Sequence, residues 1–424
     1  MAAIPNWKRN IAGFMVGQGL SLFGTSLVHY AVMWYITLTT QSGFMMTMIA
    51  ISGALPIFII SPIAGVWADR YNKKRLINIS DAGVAVVTLV MAVIFSFGTD
   101  ITWLLLICLI ARALGQGIQI PAVNALIPEL VPEESLTRVN GINGSIQSTM
   151  TFASPVLGGV LLAIAPIHVL MYIDVVTATI GISLLLFFVK TPVRVAVPDR
   201  KTGVKQYCVD IREGLIYIRK HLFLKKCLVI GALLNIMIAP AALLTPLQVA
   251  RRWGDDVWRL FGSLSFGAEH RLAAAEVGYA VGMIIGGFLI SLWGGFKNKN
   301  HTYAICTILV GIASAALGLV ESFWIYLAFM GFSGVFLGIR GAPIMAMMQT
   351  NIESTYMGRV FSVLMMTATL SMPLGMLVWG PLSDALSIEW LLIGTGGIIL
   401  LMGAVVLFEK TFLEAGASVC SGEN

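Results

Sequence analysis

"GVWADRYNKKR", residues 65–75, sets one acid, Asp69, and four bases, Arg70, Lys73, Lys74 and Arg75, between two long apolar runs. Only 11% of the 424 residues are charged, so this concentration needs a reason. The flanking runs, 45–67 and 76–97, are each long enough for a helix across a hydrocarbon layer about 30 Å thick, and bases beside such helices are retained in the cytoplasm. The stretch reads as a short inner loop between two membrane-spanning helices.

The composition agrees with that reading. The chain is 58% hydrophobic, against roughly 45–50% in soluble domains. Its 43 glycines suit transmembrane helices that pack through small residues. The apolar blocks are unbroken and lack the alternation of barrel strands, so an all-α membrane protein is expected. Spans fall near 11–38, 45–67, 76–97, 101–120, 141–163 and 167–189, then near 224–249, 273–293, 302–320, 323–342, 360–380 and 388–408. The first run follows Trp7-Lys8-Arg9, is longer than a signal-peptide core and has no Ala-x-Ala cleavage site, so it reads as a retained helix. Five scattered cysteines show no metal or disulfide spacing, and no cofactor or metal is expected.

Orientation follows from the bases. On one side of the membrane lie 21 of the 27 Lys and Arg residues, including Lys8, Arg9, the four in 70–75 and ten in 190–226. Both termini are therefore expected in the cytoplasm, with the protein multi-pass in the cell membrane and its inner bases against anionic headgroups. Topology thus accounts for the net charge of +6 without a nucleic-acid partner. The basic stretch 190–223 carries an amphipathic pattern within "YCVDIREGLIYIRKHLFLKK" and separates two bundles, 1–189 and 224–424. The halves look duplicated: "PAVNALIPELVPEESLTRVNG" (121–141) matches "PIMAMMQTNIESTYMGRVFS" (343–362), and "ASPVLGG" (153–159) matches "SMPLGM" (371–376). Two related six-helix halves sharing a central site are a common transporter plan.

Several residues stand out against this background. Gly65 would allow close helix approach, and Asp69 could cap a helix of the other half, where the dipole favours a carboxylate. Arg112 sits mid-span, where an ionised side chain costs about 2.5–3.5 kcal/mol, so it faces either a cavity or a structural partner. A carboxyl within a span can take up and release a proton if burial raises its pKa toward working pH. Asp174 and Glu276, toward the outer side of opposite halves, are the candidates, with capping or pairing as the alternative; Asp81 reads as the structural partner of a local base. Gln18, His29, Asn143, Gln147 and Asn235 either line a cavity or bridge helices. Gly115, Gly117, Pro155, Gly158 and Gly159 either bend helices four and five or allow close packing.

Gly65-x3-Asp69-Arg70-x2-Lys73-x-Arg75 resembles the loop signature of the major facilitator superfamily, "ARALGQG" (111–117) its span-four arginine motif and "SPVLGG" the Gly-Pro motif of its exporters. Within it, "GQGLSLFGTSLVHYAVMWYITLTTQSG" (17–43), "IPELVPEESLTRVNG" and "GRVFSVLMMTATLSMPLG" are similar to bacterial macrolide-efflux exporters. The resemblance implies that Gly65, Asp69, Arg70, Lys73 and Arg75 form a conformational latch between halves, and that Arg112 serves substrate or proton coupling. The second-half counterpart "GGFKNKNH" lacks the Asp-Arg pair, which implies an asymmetric latch.

The expected function is secondary export of amphipathic or apolar small molecules, a macrolide-type antibiotic among them, by proton antiport with alternating access. The alternatives are export of a metabolite, siderophore or lipid, or a non-transporting sensor of the same fold. A monomer is expected. No Walker A, HExxH or GxSxG pattern is present, so neither ATP hydrolysis nor enzyme chemistry is expected. Residues 261–272, inside an outer loop holding Arg251, Arg252, Arg259 and Arg271, read as an insertion on the outer surface.

Overall fold

The computed structural model of the chain describes residues 7–98, 101–190, 204–254, 258–260, 264–266, 268–353 and 355–421. Helices α1 (Trp7–Thr40), α2 (Gly43–Arg70), α3 (Lys73–Ser96), α4 (Thr102–Leu130), α5 (Glu133–Ile164) and α6 (Ile167–Phe188) precede α7 (Val204–Lys220). Then follow α8 (Leu222–Leu243), α9 (Thr245–Trp253), α10 (Ala268–Trp293), α11 (Lys299–Leu319), α12 (Phe323–Asn351), α13 (Met357–Ala385), α14 (Ile388–Phe408) and α15 (Lys410–Ser421). Among the described residues, twelve segments are long and apolar enough to cross a bilayer, with α8 and α9 counted as one broken span.

Local chemistry sets the ends. Asn72 caps α3 by accepting the N–H of Arg75 at 3.1 Å, and Asn298 caps α11 through Asn300 at 2.9 Å. Gly294 and Gly295, at φ of +72° and +84°, turn the chain between α10 and that second cap. Gln41 takes a left-handed φ of +45° in the two-residue link from α1 to α2. Such a backbone is strained for a side-chain-bearing residue and persists where neighbours hold it.

The chain divides into two compact units. The first comprises Met1–Ile36 and Ile51–Tyr207; the second comprises Thr37–Ala50 and Cys208–Asn424. These bounds differ from the sequence expectation at two places: residues 37–50 and most of α7 go with the second unit. In the first unit α3 packs on α4 and α6, and Phe14, Ile77, Leu126, Ile127 and Leu130 are buried in its core. In the second, α11 packs on α14 and α10 on α12, over a core containing Leu224, Leu234, Met347, Val360 and Ile399.

The α10–α12 contact is backbone against backbone. A Cβ on Gly338 would lie 2.6 Å from the Met283 carbonyl oxygen, and one on Gly334 would lie 3.0 Å from the Met283 nitrogen. Gly282 and Gly286 present the same shape from the α10 side, against Gly331 and Val335. Small residues on both helices permit this approach.

Helix α7 is amphipathic, as the sequence predicts, and its apolar side packs into protein. Tyr217 and Ile218 are buried in the second unit's core, and Tyr217 stacks on Tyr356 with ring centroids 4.5 Å apart. Arg359 pairs with Asp210 at 3.3 Å and Glu213 at 3.1 Å.

The predicted insertion takes a different form. Trp258–Leu260 (β1) pairs antiparallel with Leu264–Phe266 (β2), and α10 begins at Ala268. Arg271 and Leu272 are buried, and Arg271 donates to the Trp253 carbonyl at 3.0 Å with its guanidinium 5.5 Å from the Phe323 ring. The extra element is thus a hairpin starting before 261, while 271–272 belong to the packed helix rather than the outer surface.

Candidate functional site

The first unit closes around a pair of opposite charges. Arg112 of α4 donates through Nη1 to Asp174 Oδ2 of α6 and to Thr88 Oγ1 of α3, and through Nη2 to the Thr25 carbonyl of α1 at 3.0 Å. Arg112 is 2% exposed and Asp174 0%. Of the alternatives the sequence leaves for Asp174, the structure shows pairing, in full burial. A buried charge without a partner is costly, and the pair with its two extra acceptors meets most of that cost. Among the described residues Asp174 Oδ1 has no hydrogen-bond partner, which leaves one acceptor open in a buried site. Gly24 makes room for it: a Cβ there would lie 2.7 Å from Asp174 Oδ1.

A second polar group lies in the same unit. Gln119 donates to Asp81 Oδ1 at 2.6 Å and to Gln18 Oε1 at 3.4 Å, so the partner of Asp81 is an amide and not the base expected from the sequence. His29 is half-buried and meets Tyr30 edge-on, with centroids 5.6 Å apart. Asn143 and the exposed Gln147 share one face of α5 with exposed Asn140 and Thr151. A polar stripe at helical spacing on a membrane helix requires water or polar groups opposite it. Helices α4 and α5 run unbroken through the proposed bending positions. A Cβ on Gly115 would collide with Val84 and one on Gly159 with Trp34, so in this conformation these two glycines serve close packing.

The loop of residues 65–75 uses its bases within the first unit. Buried Lys73 pairs with Glu129 at 2.6 Å, and Lys74 donates to the carbonyls of Leu186 at 3.0 Å and Val189 at 2.7 Å at the end of α6. Those two are therefore not free for lipid headgroups; Arg70 and Arg75 are exposed. A Cβ on Gly65 would meet no atom within 4 Å, so the close approach predicted there is not used. The Asp69 side chain lies outside the described set.

In the second unit, Glu276 of α10 lines a cavity of about 80 Å³ with Thr245, Tyr279, Ser314, Ser333 and apolar side chains from α8, α11, α12 and α14. Among the described residues none bonds its carboxylate. The cavity wall includes the break between α8 and α9, where Thr245 Oγ1 returns to the Ala241 carbonyl at 2.6 Å. Gln248 is packing: it donates to the Leu317 carbonyl at 2.9 Å and accepts from Tyr326 at 3.0 Å. Asn235 donates to the Gly231 carbonyl at 2.9 Å and borders a second cavity containing Arg340.

One constellation escaped the sequence reading. Asp384, near the end of α13, accepts the N–H groups of Gly43 at 2.7 Å and Phe44 at 2.9 Å and the Ser42 hydroxyl at 3.0 Å. Arg251 of α9 donates to Asp384 at 2.8 Å and also holds the Gln41 carbonyl. Asp384 thus supplies the cap that the free N–H groups at the start of α2 need. Nothing in the sequence links residues so far apart. No group of three or more metal-binding side chains occurs among the described residues.

A sequence model described as Major Facilitator Superfamily matches residues 12–268. The chain is 26% identical over 408 residues to macrolide efflux protein A of Streptococcus pyogenes, covering 96% of this chain and 97% of that protein. It is 27% identical over 335 residues to macrolide efflux protein A of Enterococcus faecalis, covering 78% and 99%. A solved structure of a POT family transporter in complex with 5-aminolevulinic acid superposes at a TM-score of 0.73 over 94% of this chain and 95% of that one, at 13% identity, a likeness of fold.

Proposed function

Because the chain belongs to the Major Facilitator Superfamily, we propose that it exports amphipathic or apolar small molecules, macrolide-type antibiotics first among them, in exchange for protons. It is a multi-pass membrane transporter whose family and relatives move small molecules rather than catalyse reactions. The near full-length similarity to macrolide efflux protein A carries the proposal. Both termini are assigned to the cytoplasm on the distribution of bases.

The geometry gives the exchange its working parts. Glu276 supplies an unpaired carboxyl inside a cavity, able to take up a proton in one access state and release it in the other. Arg112–Asp174 supplies a buried pair with one open oxygen, which protonation or a polar ligand would loosen. The α5 stripe of Asn140, Asn143, Gln147 and Thr151 supplies a wet wall. A proton moving inward gains about 2.3 kcal/mol per 100 mV, enough to concentrate a solute outward severalfold. Gly65, Asp69, Arg70, Lys73 and Arg75 act as the conformational latch in this scheme, and Lys73 must leave Glu129 to take part.

The test is flux in proteoliposomes under an imposed pH gradient, with a radiolabelled macrolide as probe. The unaltered protein is expected to move the macrolide only when the gradient is present, and Glu276→Gln to bind it without gradient-driven movement. Equal flux with and without a gradient would reject proton antiport.

A further inference from the structure

Arg112 lies well inside α4 and Arg340 well inside α12, and the fold treats them differently. Arg112 is neutralised by Asp174. Arg340 of α12 has no carboxylate among the described residues, and its Nη1 is buried with no hydrogen-bond partner. Its guanidinium lies 5.4 Å from the centroid of the Tyr303 ring, an attraction that orients the cation without satisfying its N–H groups.

Arg340 lines a cavity of about 170 Å³ bordered by α8, α11, α12, α13 and Phe412 of α15. Most of its wall is apolar and adaptable: Ile344, Met345, Met348, Phe361, Leu364 and Met365. Of its other polar side chains, Asn235 and Thr367 spend their donors on backbone carbonyls of their own helices. Among the described residues no acid lines the wall. Met345 and Met365, 39% and 63% exposed, mark a way in.

We propose that this cavity is a binding site for a compact amphipathic anion, whose acidic group pairs with Arg340 while its apolar body lies among the methionines. The size sets the body, since a cavity of about 150 Å³ takes up one benzene ring. A single ring or a short branched chain fits, and the paired acyl chains of a phospholipid do not. The charge sets the head, because a guanidinium presents a fork of donors that a carboxylate or phosphate oxygen pair accepts and a cation does not. The ligand is either a free solute or an acidic lipid group reaching in from the bilayer. The inference goes beyond the export reading and is tested by binding alone, so neither result decides the other.

The experiment is isothermal titration calorimetry on the full chain in nanodiscs of zwitterionic lipid. The probes are 3-phenylpropionate, its neutral amide and 3-phenylpropylammonium. The acid is expected to bind, the amide and the Arg340→Gln variant to bind the acid site about tenfold more weakly, and the ammonium not to bind. Met365→Trp, which narrows the entry and keeps Arg340, is expected to weaken the acid too, and serves if Arg340→Gln does not fold. In nanodiscs containing anionic lipid, competitive loss of phenylpropionate binding identifies the lipid as the resident anion, and unchanged binding identifies a free solute. Absence of binding in zwitterionic nanodiscs, equal affinity for acid and amide, or affinity unchanged by both variants overturns the proposal.

Discussion

Arg112 and Asp174, 62 positions apart, form an ion pair from which water is excluded on both sides. Removing one member strands the other in a low-dielectric interior, a loss of about 3–5 kcal/mol, whereas replacing both by apolar side chains of similar volume is often neutral. Asp174→Asn is therefore expected to lower thermal stability in detergent sharply, and Arg112→Met with Asp174→Leu to recover most of it. Transport is expected to stay lost in the double variant. Recovery of both stability and gradient-driven flux would reduce the pair to a structural one.

Gly24 tests the same site without touching a charge. Gly24→Ala would place a methyl group against Asp174 Oδ1 and Thr177 Oγ1, so Asp174 must shift or the helices part. Overpacking of this kind costs about 1–3 kcal/mol. The expected result is a lower unfolding temperature together with reduced flux, and Gly53→Ala, whose Cβ would meet only the His29 ring at 3.6 Å, is the mild control.

Asp384 caps α2 from a distant part of the chain. Asp384→Asn keeps the size and weakens the charge-assisted bonds to Gly43 and Phe44, while Arg251 loses its ion-pair partner. The site is about a third exposed, so the expected loss of stability is small, about 1 kcal/mol or less after screening. Hydrogen exchange at the amides of residues 43–44 is the sharper measurement and is expected to accelerate.

Glu409 accepts from Lys226 Nζ at 2.5 Å, and this bond holds its carboxyl below the ordinary glutamate range. A carboxyl depressed in the folded state contributes stability above its unfolded pKa, and the contribution fades as pH falls through the folded value. Unfolding temperatures of the unaltered protein and Glu409→Gln are therefore expected to differ slightly at neutral pH and to converge in acid.

The spans were legible because apolar length is a one-dimensional property. Their ends were less so: the sequence closes the fourth span at 120 and α4 continues to Leu130, since helical hydrogen bonding does not stop where hydropathy falls. The span expected at 224–249 contains a break at Leu244 that apolar content conceals. The charged candidates Arg112 and Asp174 were visible singly, and their pairing was not, because it depends on how α4 and α6 turn toward each other. Gln119 and Asp384 gave no signal at all. One is a neutral amide within an apolar run, and the other looks like an ordinary polar residue at a helix end.

The interlocked glycines of α10 and α12 leave no cushion of side chains between the two backbones, so the helices cannot slide past each other without collision. Glu276 and Arg340 are mounted on this one stiff plank. Any displacement of this helix pair that moves the carboxyl must carry the guanidinium along with it.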